Sequence, residues 1–175
     1  MVDERTPYHP RIVITLLLLG VMARLVPHPP NATPLAAIAL FGGTYLSPRW
    51  AIGLPLAIVA LSDLLIAWHV TVPFTWAAFI VTAMLGWWIR RHPSASRIVG
   101  ASLGASGFFF LFTNFGVWVM GGLYLPTLAD LWQCYVAAIP FVRATVLGDL
   151  LYTILLFGSY ALATHRMIRQ PSRAA

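Results

Sequence analysis

Apolar residues fall in long blocks separated by short polar gaps. The blocks run over 12–26, 34–46, 50–68, 74–89, 98–118 and 140–164. A helix that crosses a bilayer needs about 20 mostly apolar residues, usually about 17–25. The second block is short, and alone it would pass for a re-entrant segment. A further helical stretch over 128–138 is too short and too polar to span, so it reads as a surface helix leading into the last block. The pattern predicts an all-α polytopic membrane protein, with six transmembrane helices in a single domain over 1–175.

Composition agrees. Of 175 residues, 59% are hydrophobic and 9% charged, against about 25% charged in a soluble domain. Mean hydropathy is +0.81. An ordinary water-soluble enzyme is excluded on that ground. The 11 basic residues are all arginine, and with 5 acids they give a net charge of +6. They lie in the gaps between apolar blocks, where they read as topology signals rather than a nucleic-acid surface.

Arginine placement supports the count of six. One side of the membrane would hold Arg5, Arg11, Arg49, Arg90, Arg91, Arg97, Arg166, Arg169 and Arg173, and the other only Arg24 and Arg143. If 34–46 were re-entrant, Arg90, Arg91 and Arg97 would move outside and the bias would weaken. Both termini are therefore expected in the cytoplasm of a bacterium, with the chain in its inner membrane. The first block carries a signal-peptide-like Val21-Met22-Ala23, but Asp3 and Glu4 precede it and Arg24 follows at once. It is expected to be retained as a helix.

The fifth block is rich in small residues: Gly100, Gly104 and Gly107, with Ala101, Ser102, Ala105 and Ser106. Small residues four apart let helix backbones approach closely in lipid, either within the bundle or against a partner protein.

Ionisable groups inside a membrane are costly, and are normally paired or functional. Arg24, Asp63, Arg143 and Asp149 lie within or just inside the blocks. At 1.5 Å per residue, Arg24 is about 3 Å, Asn114 about 6 Å and Asp63 about 7 Å from the outer ends of their helices. Asp149 is about 13 Å in from Pro140. All four face the non-cytoplasmic half. The outer loops add His28, Asn31, His69, Cys134 and Tyr135, with Trp118 at the same boundary. Together these eleven residues outline a polar pocket open to the outside. Arg143 and Asp149 are six apart, about 240° around a helix, and do not face each other. Pairing of Arg24 or Arg143 with Asp63, or of Arg24 with Asp149, is open at this stage.

No H-E-x-x-H, G-x-S-x-G or P-loop string is present, so metalloprotease, elbow-serine hydrolase and nucleotide hydrolase have no motif support. No catalytic residues and no resident cofactor are expected. His28, His69 and Cys134 are soft-metal donors without motif spacing, and no metal site is assigned to them. A single cysteine also excludes an internal disulfide framework.

Several strings carry a resemblance. They are Arg24-Leu25-Val26-Pro27-His28-Pro29-Pro30-Asn31-Ala32-Thr33-Pro34, then Ala39-Leu40-Phe41-Gly42-Gly43, Ser62-Asp63-Leu64, Thr113-Asn114-Phe115-Gly116-Val117-Trp118, Cys134-Tyr135 and Leu147-Gly148-Asp149-Leu150. Over about residues 12–160 the chain resembles a bacterial family of uncharacterised six-helix membrane proteins. More distantly, it is similar to the substrate-binding S-components of energy-coupling-factor vitamin transporters. That resemblance implies capture of a micronutrient by the loops after helices one, three and five. It also implies docking on a shared membrane subunit with two ATPases. A solitary cobalamin-transporting branch is of similar size, which makes cobalamin the first substrate to consider. Its cobalt-ligating cysteine lies near the third helix, where this chain offers His69, so the substrate stays open. Two alternatives remain: a non-transporting membrane subunit that stabilises a larger complex, and an intramembrane enzyme using Asp63 and Asp149 as adjacent carboxylates.

Overall fold

A computed structural model describes residues 10–29, 31–66 and 69–169, the last five without their side chains. It consists of six helices: α1 (Pro10–Leu25), α2 (Leu35–Tyr45), α3 (Pro48–Ile66), α4 (Val72–Ile89), α5 (Ala95–Met120) and α6 (Leu128–Arg169). No strand occurs among the described residues. Within them Pro48–Ile66, Val72–Ile89, Ala95–Met120 and Leu128–Thr164 are long and apolar enough to cross a membrane. Large apolar side chains lie bare on the outside, among them Leu18 at 60% exposure and Leu64 at 75%. Water would penalise such a surface, and lipid would not. This is a membrane protein.

Local chemistry sets several helix ends. Ser94 caps α5, its hydroxyl accepting from the Arg97 amide at 3.3 Å, which begins that helix three residues before the apolar block. Pro48 opens α3, and Pro73 sits in the first turn of α4, where a missing N–H costs nothing. The separate surface helix expected over 128–138 is not observed. One 42-residue helix, α6, runs straight through Pro140. Proline there forfeits one backbone bond, a loss that helices in lipid tolerate when neighbours support them.

The short helix α2 is the hub, packed against each of the other five. Its sequence is almost all small or apolar, and nine of its 11 residues are buried. Gly43 meets Gly86 of α4 so closely that a Cβ on Gly43 would stand 2.1 Å from the Ala83 carbonyl oxygen. One on Gly86 would stand 2.2 Å from the Leu40 oxygen. Thr44 Oγ1 shares its proton between Leu40 O at 2.8 Å and Gly86 O at 3.2 Å. Arg90 donates from Nε to Thr44 O at 3.0 Å and from its terminal nitrogen to Leu46 O, closing the C-terminus of α2. Phe41 meets Phe157 and Tyr160 of α6 edge-on, and Tyr45 meets the same two rings at a tilt.

Helix directions follow from these contacts. α2 runs parallel to α4 and α6, and α1 runs parallel to α3 through Gly20 against Ile58. α5 runs antiparallel to α6, pairing Ser102 with Thr153 and Ser106 with Asp149. One end of the bundle therefore collects the ends of α1, α3 and α5 and the beginnings of α2, α4 and α6. The opposite end holds Arg49, Arg90, Arg91 and Arg97 with Trp87 and Trp88.

Candidate functional site

A cavity of about 680 Å³ opens at the first of these two ends. Every helix contributes to its wall. From α1 and the following loop come Arg24, His28, Asn31 and Thr33. The α3–α4 connection supplies His69 and Thr71, the first turn of α4 supplies Thr75, and α5 supplies Thr113 and Asn114. Thr145 and Asp149 enter from α6, while Phe79, Phe109, Phe110 and Phe141 make the apolar part of the lining.

Arg24 lies in the last turn of α1 and donates from Nη2 to Asp63 Oδ1 at 2.6 Å. The close Gly20–Ile58 packing brings these two helix ends together. Asp63 is nearly inaccessible, with its side chain 1% exposed against 17% for Arg24. Its Oδ2 has no partner among the described residues. Of the pairings left open by the sequence, the structure selects Arg24 with Asp63.

The proline-rich loop after α1 turns at Asn31, whose φ is +61°. Asparagine tolerates this left-handed conformation better than other residues with a Cβ. The Ala32 amide donates to Pro29 O at 3.0 Å within the turn. Ala32 rests on Gly148 of α6, where a Cβ would stand 2.9 Å from the Ala32 Cα. Glycine at 148 thus admits the loop beside Asp149. His28 Nδ1–H donates to Val26 O at 2.7 Å, and His69 Nδ1 is hydrogen-bonded to the Thr71 hydroxyl at 2.8 Å. Both rings are held at the mouth.

Asp149 lies roughly 30 Å along α6 from Leu128 at 1.5 Å per residue, and is 3% exposed. Ser106 Oγ donates to its Oδ2 at 2.6 Å. Among the described residues no arginine or histidine forms an ion pair with it. Ser102 and Thr153 continue this polar seam at 3.2 Å. Ser102 and Ser106 are four apart, as are Asp149 and Thr153. That matched spacing was the available signal for Ser106, which the sequence alone places among packing residues. Asn114 donates from Nδ2 to Phe110 O at 2.7 Å and lines the cavity.

Five sequence candidates lie outside its lining, Asp63 beneath Arg24 being the first. Trp118 donates from Nε1 to Leu125 O at 3.0 Å and pins the α5–α6 loop. Cys134 Sγ–H donates to Asn114 O at 3.4 Å, and Tyr135 Oη–H to Leu111 O at 2.9 Å. Both stitch α6 to carbonyls of α5. Arg143 is exposed on the outer face of α6. Cys134 is thus turned away from His28 and His69, and no group of three or more His, Cys, Asp or Glu gathers among the described residues. The residues that sequence reasoning missed are threonines 75, 113 and 145 and the four phenylalanines, because neither type is costly enough in lipid to stand out.

A model of the family of unknown function DUF6580 matches residues 6–172. The chain belongs to that family. Neither a curated protein nor a solved structure is detectably similar to it. For this DUF6580 member the cavity therefore has to be read on its own chemistry. The stretch from Arg24 to Pro34 shapes the mouth, and Gly148-Asp149 provides a docking point for that loop beside the buried acid.

Proposed function

We propose that this protein is a membrane transport protein that captures a small micronutrient from the non-cytoplasmic side of a bacterial inner membrane. The observation that carries the reading is a cavity of about 680 Å³ at the end opposite the cluster of Arg49, Arg90, Arg91 and Arg97. By the positive-inside rule that cluster belongs in the cytoplasm, so the cavity faces out. Its volume lies within the roughly 300–1,000 Å³ of small-molecule sites, as does its mixture of apolar walls and a few placed polar groups. α1, α3, α4, α5 and α6 would cross, and the short α2 would carry the chain back through the bundle interior as the sixth helix, giving an S-component-like bundle with both termini inside. Transport would need only different affinities in outward and inward states, with energy from a partner membrane subunit and its ATPases. Cobalamin would fill the cavity and protrude from it, so a more compact vitamin or cofactor precursor fits better. Each carboxylate in this region has its own partner, Arg24 for Asp63 and Ser106 for Asp149, an arrangement that favours binding over acid–base catalysis.

Purified full-length protein in detergent tests this. Native mass should reveal a co-purified small molecule, and a panel of cobalamin, thiamine, riboflavin and biotin should contain a ligand that raises Tm. Saturation at 100 times Kd adds about 2.7 kcal/mol to stability. Thr113→Trp, which fills the cavity without altering charge, should abolish the shift. No bound molecule and a flat panel would overturn the reading.

One observation favours a second reading, a subunit that stabilises a larger membrane complex. Gly100, Gly104 and Gly107 have nothing within 4 Å of a Cβ position, and a partner helix could approach that face closely. Gly104→Leu would then release a co-purifying protein, and would release nothing if the face meets only lipid.

A further inference from the structure

The cavity has one acid on its wall without a charged partner among the described residues. We propose that its ligand carries a positive charge on an organic nitrogen, and that Asp149 is the counter-ion. This rests on the binding reading above and specifies its substrate class.

Two of the ionised groups at the cavity cancel, since Arg24 is committed to Asp63 at 2.6 Å. Asp149 remains, more than nine-tenths buried, on the cavity wall, with one neutral hydroxyl as its partner. A carboxylate held in this way within a membrane protein is costly unless something positive meets it.

A bare metal ion is a poor occupant. Hard cations need several oxygen ligands at once, and no group of three or more His, Cys, Asp or Glu lies together among the described residues. The walls instead include Phe79, Phe109, Phe110 and Phe141. Aromatic faces attract cations through their quadrupole and pack against apolar skeletons. A carboxyl group at depth in a cavity that phenylalanines also line suits an ammonium or a charged nitrogen ring carrying a hydrophobic body. The threonine hydroxyls and Asn114 would take that body's polar substituents.

Three probes of one skeleton separate charge from shape: phenethylammonium, 3-phenylpropionate and 2-phenylethanol, added to the full-length protein in detergent while Tm is recorded. The ammonium alone should raise Tm. Asp149→Asn, nearly isosteric, should weaken it about ten- to hundredfold, the loss of one hydrogen bond to a charged group. Protection by the carboxylate, or equal protection by all three, would overturn the charge assignment and leave the binding reading standing. Ammonium protection that persists in Asp149→Asn would overturn the role of Asp149. No protection by any probe would overturn the cationic-ligand proposal, and the co-purified mass and vitamin panel would then decide separately whether the cavity binds anything. Should Asp149→Asn fail to fold, selectivity of the wild type among the three probes still decides the sign of the ligand's charge.

Discussion

Replacing Arg24 by methionine keeps an apolar stem and removes the guanidinium. Asp63, with its side chain 1% exposed and its Oδ2 already without a partner among the described residues, is then left as a buried acid with no cation. Breaking a buried ion pair from one side costs about 3–5 kcal/mol, whereas replacing both members by apolar groups is often neutral. In a chain of this length each kcal/mol moves the melting point by about 2–4 °C. Arg24→Met should therefore lower Tm by about 6–20 °C, and Arg24→Met with Asp63→Leu should recover most of that loss. Thermal unfolding of the detergent-solubilised protein, followed by tryptophan fluorescence, reads both. If Arg24→Met melts within about 2 °C of the wild type, the pair contributes no stability and Arg24 is free to serve a ligand. If the double variant is no better than the single one, the loss comes from packing and not from charge.

The same melts check the hub. Gly43→Ala and Gly86→Ala each push a methyl into a backbone carbonyl that cannot swing away, and should cost about 1–3 kcal/mol or more; Gly104→Ala, which meets open space, should cost nothing. Arg90→Met strips donors from the Thr44 and Leu46 carbonyls and should cost about 1–3 kcal/mol, with Arg90→Lys recovering only part because an ammonium lacks the two-armed fork. Asn31→Gly should be neutral at its positive φ, while Asn31→Val should cost about 1–2 kcal/mol; a Val variant as stable as the wild type would show the turn to be unstrained.

What the sequence revealed of the cavity came from energy. Charge inside lipid is expensive, so Arg24, Asp63 and Asp149 stood out, and their shared sidedness marked the end of the bundle where the cavity lies. Groups that are cheap in lipid gave no such signal. Threonine can return its hydroxyl to its own helix, as Thr113 does to Phe109 O at 2.7 Å, and phenylalanine is at home anywhere in a bilayer. Rotation about a helix was equally hidden. Small residues occupy every face of α5, so nothing local tells that Ala101, Ser102, Ala105 and Ser106 turn inward while Gly100, Gly104 and Gly107 turn out. Cys134 and Tyr135 have polar atoms near the mouth in sequence, yet both are turned to α5 carbonyls. Pro140 reads as a helix start because proline breaks helices in water, where freed carbonyls have an alternative partner; in lipid they have none, and α6 continues.

The cavity has a simple structural origin in the length of α2. Eleven residues rise about 16 Å, against a hydrocarbon thickness of about 30 Å. A central helix that stops short must end somewhere inside the membrane with open backbone groups, and the two ends of α2 solve this differently. At the arginine-rich end, Arg90 reaches from α4 to the last carbonyls, so the chain turns there without needing water. At the other end Pro34 provides no side-chain cap, and Leu35 and Ala36 lie on the cavity wall. The whole shortfall in length therefore accumulates at one end. Longer helices continue past it, and the space they enclose above the start of α2 is the cavity. The same short, glycine-bearing helix that lets five neighbours pack closely leaves them something to surround.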